Sequence, residues 1–182
     1  FSEYDYSLQF GEDDRDYFRW KSSISNYTFK PSFSYFVNSN NEISFGAETT
    51  YYEFEPANAT AASNGVARPL RLDKKYNVEN ALYISNDQKI SEVLTVQYGI
   101  RYSSFFSLGP GKKITYNDTI PGARRRPVSE VAVRSGDVIS QYNNWEPRLS
   151  MKAQLNNNVS LKAGYNRMVQ YLHLISNTTA SN

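Results

Sequence analysis

Catalysis and metal binding need particular side chains, and this chain is short of them. Among 182 residues there is no cysteine and one histidine, His173. Thiolate zinc sites, iron–sulfur clusters and disulfides are therefore excluded, and most His-based triads with them. A lone histidine in a loop, with no base or ligand partner at a recognisable spacing, assigns no site. Glu12, Asp13, Asp14 and Asp16 supply oxygen ligands of the kind calcium uses, but their spacing is not that of an EF-hand loop, and a solvated acidic turn accounts for them. Lys112, Lys113, Arg124, Arg125 and Arg126 form a basic set. It has the chemistry to meet lipopolysaccharide phosphates or an anionic substrate, and equally that of a solvated charge run. Gly109-Pro110-Gly111-Lys112-Lys113 lacks the spacing of a phosphate loop. Asn-x-Ser/Thr triplets start at Asn26, Asn58, Asn117, Asn158 and Asn177, which so much Asn, Ser and Thr produces by chance. No catalytic, cofactor or metal residue is assigned, substrate-binding residues stay unassigned, and the chain reads as a non-enzyme.

Composition narrows the class further. Twenty Lys and Arg against eighteen Asp and Glu leave a net charge of +2, which gives no electrostatic footprint for nucleic acid. Fifteen Tyr and ten Phe sit in a chain of low mean hydropathy, an aromatic content foreign to disordered chains. No run of about 18 apolar residues marks a membrane helix.

The elements that must carry these residues are strands. Period-two alternation recurs while helical periodicity is scarce. Tyr27, Phe29, Pro31, Phe33, Tyr35 and Val37 alternate with Thr28, Lys30, Ser32 and Ser34; Phe36 breaks the pattern. Asn38–Asn41 turns the chain, and Ile43, Phe45, Ala47, Thr49 and Tyr51 return. Leu82 and Ile84 lead into a turn at Asn86–Lys89, followed by Leu94, Val96, Tyr98, Ile100 and Tyr102. Trp145, Pro147, Leu149, Met151, Ala153 and Leu155 precede a turn at Asn156–Asn158, after which Val159, Leu161, Ala163 and Tyr165 return. Upstream, Tyr4, Tyr6, Leu8 and Phe10 alternate ahead of an acidic loop at Glu12–Asp16. Seven strands are expected, with bulges or interrupted pairing at Pro31 and Pro147.

Short turns near residues 39, 88 and 157 alternate with long connections, Glu55–Lys75, Leu108–Gln141 and from Asn166 onward. That is the habit of an up-and-down outer-membrane barrel. Tyr27–Val37 and Trp145–Leu155 have the length of a tilted membrane strand, about 9–11 residues. Aromatics gather where strands meet long loops: Tyr17, Phe18 and Trp20; Tyr51, Tyr52 and Phe54; Phe105 and Phe106; Tyr142 and Trp145. They read as a girdle at headgroup level. Lys30, Glu48, Arg101, Glu146, Arg148, Lys152 and Lys162 all fall on the polar parity and are expected on a lumen face. The fold class is all-β, an antiparallel transmembrane barrel, and about seven strands make an incomplete segment of one.

Leu82–Tyr102, ending Gly99-Ile100-Arg101-Tyr102, resembles the strand–turn–strand of TonB-dependent outer-membrane receptors. Trp145-Glu146-Pro147-Arg148-Leu149-Ser150 with the following NNNVSLKAGYNR is similar to the next repeat. Tyr27–Pro56, through Phe45-Gly46 and Phe54-Glu55-Pro56, resembles the same family, and Tyr171–Asn177 resembles a loop start in its Bacteroidota-type members. Gln88 departs from the Trp often found in the turn. The resemblance covers about two thirds of the chain and implies that 1–182 is part of the barrel domain, with plug and remaining strands elsewhere. Such receptors import scarce nutrients through a barrel of about 22 strands whose plug the TonB complex remodels. The implied partners are outer-membrane lipid, the TonB complex through other parts of the protein, and a lipoprotein or other outer-membrane subunit. The implied location is the bacterial outer membrane. The rival expectation is a soluble or surface-attached β-sandwich that binds carbohydrate through its aromatics.

Overall fold

The computed structural model describes residues 1–13, 16–64, 66–116 and 127–172, with Glu12 and Asp13 described by their backbone alone. These residues form β-strands and no helix. The strands are β1 (Ser2–Asp13), β2 (Asp16–Phe29), β3 (Ser32–Asn38), β4 (Asn41–Ser63), β5 (Val66–Arg71), β6 (Lys75–Lys89), β7 (Leu94–Leu108), β8 (Gly111–Tyr116), β9 (Pro127–Val133), β10 (Val138–Asn156) and β11 (Val159–Asn166). The main sheet runs β1-β2-β4-β6-β7-β10-β11, every neighbour antiparallel, and curves into a half-barrel. The seven positions across it match the seven expected strands. The rest come from subdivision: β3 continues the line of β2 against β4, β5 folds onto the end of β4, and β8 pairs β9 in a separate hairpin.

The two prolines show why one breaks pairing and the other does not. In an antiparallel ladder a residue's N–H and C=O point to the same neighbour. The Pro31 carbonyl accepts the Ala47 N–H at 3.2 Å, so its missing donor is lost from the β4 ladder, and the strand divides there into β2 and β3. The Pro147 carbonyl accepts from Arg167 N–H at 3.1 Å, on the side where β11 has already ended at Asn166. No bond to β7 is lost, and Pro147 pairs with Ile100 without a register shift. The bulge expected at Pro147 is absent; those of β10 lie at Val138/Ser140 and Gln154/Asn156.

The Asn-rich turns close as expected. Asn38 Oδ1 accepts from Asn40 N–H, and Asn156 Oδ1 from Asn158 N–H, each at 2.9 Å. This is the side-chain mimic of a backbone turn at which Asn excels. The third turn sits later than expected. Asn86–Lys89 stay in β6, paired with Asn41–Ile43 on one side and Thr95–Tyr98 on the other. The chain instead reverses at Ile90–Val93, where Ser91 Oγ accepts from Leu94 N–H at 3.1 Å. The long connections also hold more structure than expected. Glu55–Lys75 contains the end of β4 and all of β5, and Leu108–Gln141 contains β8 and β9. The acidic loop narrows to a hairpin tip in which Asp13 faces Asp16.

Candidate functional site

Directly paired residues of an antiparallel sheet share a face, so the register sorts every side chain. One face carries Phe33–Phe45–Ile84–Ile100–Pro147 as a cross-strand row, flanked by Ala47–Leu82–Tyr102–Trp145 and by Ile43–Asn86–Tyr98–Leu149–Tyr165. From Ser25 to Val37, Asn41 to Tyr51, Tyr76 to Gln88, Leu94 to Leu108, Gln141 to Leu155 and Val159 to Tyr165, alternate residues on this face include no Asp, Glu, Lys or Arg. Its rings meet in pairs: Phe33–Phe45 with centroids 5.5 Å apart and Tyr102–Trp145 at 4.7 Å. Leu82 is 64 % exposed and Trp145 57 %.

The opposite face is more enclosed and collects the charges. Glu146 is 4 % exposed, Phe105 5 % and Ser103 fully buried. Arg101 is the hub. Its two guanidinium NH2 groups donate to Glu48 Oε2 at 3.2 Å and Glu79 Oε1 at 3.4 Å, and its Nε stands 3.9 Å from Glu146 Oε1. Lys30 reaches Glu48 at 3.4 Å and Arg148 reaches Glu146 at 3.7 Å. Three cations thus interleave with three carboxylates. Neutral donors complete the network: Tyr52 OH donates to Glu79 Oε2 at 3.3 Å and Ser103 Oγ to Glu146 Oε1 at 2.6 Å. Tyr171, past the end of β11, folds back over this face. Its hydroxyl lies 2.8 Å from Ser103 Oγ and accepts from Asn144 at 3.0 Å, while its ring stacks on Phe105 at 5.1 Å.

Gly46 shows how tightly the strands are fitted here. The Tyr83 side chain crosses it to donate to Ser32 Oγ at 2.9 Å, and a Cβ on Gly46 would stand 2.5 Å from the Tyr83 hydroxyl and from the Pro31 carbonyl. The ring takes the place of the missing side chain and fastens β6 across β4 to β3.

All seven charged residues expected on the polar face are there, but they divide. Lys30, Glu48, Arg101, Glu146 and Arg148 join the network. Lys152 and Lys162 stand opposite each other on β10 and β11 with no ion pair among the described residues. The alternation read from Leu82 and Ile84 extends upstream, and following it would have placed Glu79 on this face. Tyr171 has no such signal, since it lies beyond the last strand.

The aromatic clusters do not form one girdle, because neighbours in a strand point to opposite faces. Tyr51 joins an outer row Phe1–Tyr27–Tyr51–Tyr76, with successive centroids 5.0, 6.3 and 6.3 Å apart. Tyr52, Phe54 and Phe105 lie on the charged face, as does Tyr142, the partner of Phe105. Phe18 and Trp20 lie there as well, Phe18 stacked on Phe10 and tilted against Trp20.

Of the basic loop set, Lys112 pairs with Glu130 across the β8–β9 hairpin. That hydrogen bond and the carboxylate charge raise the ammonium pKa above its ordinary value. Arg124, Arg125, Arg126, Asp14 and His173 lie outside the described residues. One face thus carries a network of ion pairs in which Arg101 Nε has no hydrogen-bond partner, and the other an uncharged, aromatic-rich surface. Comparison with protein-family models, with curated proteins and with solved structures gave no match.

Proposed function

We propose that this chain is part of the wall of an outer-membrane β-barrel that imports a nutrient, of the TonB-dependent receptor type. The observation that carries the reading is the segregation of charge. On the short-turn side of Tyr27, Tyr51 and Tyr76, six neighbouring positions of the sheet put their Lys, Arg, Asp and Glu on one face and none on the other. A lipid-facing Arg or Lys costs about 2–4 kcal/mol at mid-bilayer, whereas in water an exposed position has no reason to avoid charge. The exposed row of Phe33, Phe45, Ile84 and Ile100 then has hydrocarbon as its solvent, and the ion-pair network faces a wet lumen. The receptor class within the barrels is supported by the resemblance of Leu82–Tyr102 and Trp145–Arg167.

The free edges of β1 and β11 are paired by further strands in this reading, since lipid tolerates no open edge. The test is extraction of the native protein. It should partition with outer membranes, require detergent, and migrate anomalously in electrophoresis until heated. A species soluble without detergent overturns the proposal and makes a second sheet over the aromatic face, hence a carbohydrate-binding sandwich, the leading alternative.

A further inference from the structure

The charged face is not uniformly filled. Where β6, β7 and β10 run side by side, small residues gather: Ser85 pairs with Gly99, and Ser150 stands two residues along β10 from Arg148, the other partner of Gly99. Gly99 has no room for a side chain, because a Cβ there would stand 2.7 Å from Ser85 Cβ. Beside these residues lies a hollow of about 460 Å³. Around it stand Lys30, Arg101 and Arg148, and no carboxylate lines it.

The acids of the network lie beside this hollow and leave its cations incompletely satisfied. Arg101 commits both terminal nitrogens to Glu48 and Glu79. Arg148 and Lys30 hold their carboxylates at 3.7 and 3.4 Å, with side chains 49 % and 54 % exposed. Both keep donors free for a further acceptor. Below the hollow, Lys152 faces Lys162 across the β10–β11 ladder, an arrangement that costs free energy while no anion lies near it. Neither β11 nor β10 below Glu146 offers an acid to relieve it.

We propose that this hollow is a binding site for a small organic anion, a carboxylate or phosphate, held by Arg148 and Lys30. Arg101 fixes the floor, and Lys152 and Lys162 add long-range attraction. Guanidinium and ammonium groups recognise both anions through charge-assisted hydrogen bonds. Ser85 and Ser150 supply neutral hydroxyls for the remainder of the ligand. The proposal deepens the import reading, on which it rests only for the expectation that this face is wet.

The test is calorimetric titration of the full-length protein, in detergent if extraction requires it, with pyrophosphate, citrate and uncharged sucrose. Both anions should bind more tightly than sucrose. Arg148→Gln and Lys30→Gln should each weaken them about tenfold, with Lys74→Gln, remote from the hollow, as the unchanged control. Tighter pyrophosphate than citrate assigns a phosphate ligand and the reverse a carboxylate; either supports the site. Anion binding equal to that of sucrose, or unmoved by Arg148→Gln and Lys30→Gln, overturns it. Detergent dependence of the same preparation is scored separately, so that a soluble protein that binds anions sinks the membrane reading alone. A membrane protein that does not bind them sinks the site alone.

Discussion

The sheet on either side of the aromatic row Phe1–Tyr27–Tyr51–Tyr76 follows opposite rules. Toward the short turns, one face is free of charge and the other holds the Arg101 network. Toward the long connections, in the extension built from β1, β5 and the far ends of β2 and β4, the same outer face carries Glu3, Asp5, Lys21, Glu53 and Glu55. Tyr4, Tyr6, Leu8 and Phe10 lie on the inner face with Phe18 and Trp20. Lys74 reaches Glu53 at 2.6 Å and Glu55 at 4.0 Å on the outer side. In the proposed barrel, the change of exposed chemistry at this aromatic row corresponds to a change of solvent. Tyrosine is the residue that tolerates both sides of such a boundary.

The sharpest way to break this contrast is to put one charge on each side of the row. If the proposed membrane reading holds, Leu82→Arg, on the uncharged face, costs about 2–4 kcal/mol of folding free energy in bilayers. Ser23→Arg, between Asp5 and Glu55, should change stability by less than about 0.5 kcal/mol. Equal effects in urea unfolding from bilayers would abolish the boundary.

Within the charged face, Glu146→Ala removes the acceptor of Ser103 and a neighbour of two arginines. A loss of about 2–3 kcal/mol is expected, read as a shifted denaturation midpoint at constant slope. A loss below about 1 kcal/mol would show that the network does not hold the strands. Tyr171→Phe keeps the stack on Phe105 but loses the hydroxyl bonds to Ser103 and Asn144, for about 1 kcal/mol. Hydrogen exchange should then speed up at residues 167–172 and leave β7 unchanged. In anion-free buffer Lys152→Gln should stabilise by about 0.2–1 kcal/mol by removing a like-charge pair.

The smallest effect belongs to the extension. The hydrogen bond to Glu53 raises the Lys74 pKa above its ordinary value, with help from Glu55. A raised folded-state pKa means the contribution is present at neutral pH and is lost as pH climbs through that raised value, above the ordinary lysine range. Glu53→Gln should return the Lys74 titration toward ordinary, as followed by NMR of the side-chain amine.

The alternation of residues is legible without any structure because the strand period is fixed at two. It placed Lys30, Glu48, Arg101, Glu146 and Arg148 on one face, and it counted seven positions across the sheet. The Asn-rich turns were legible too, since Asn supplies its own turn acceptor. Adjacent aromatics such as Tyr51 and Tyr52, or Phe105 and Phe106, invite a single cluster when read along the chain, and the pleat forbids it. The true turn at Ile90–Val93 is invisible locally. Asn86–Lys89 have turn-like composition, and pairing with β4 and β7 on both sides holds them extended.

Sequence by itself determined the all-β class and the two-faced strands, because these depend on residue type and on a period of two. Tertiary structure decided what depends on register. The partners of Arg101 come from β4, β6 and β10, so no local stretch encodes their meeting. Pro147 is harmless because of which side its nitrogen faces. The hollow brings Lys30, Ser85, Arg101 and Arg148 together from separate strands across ladders that only folding aligns.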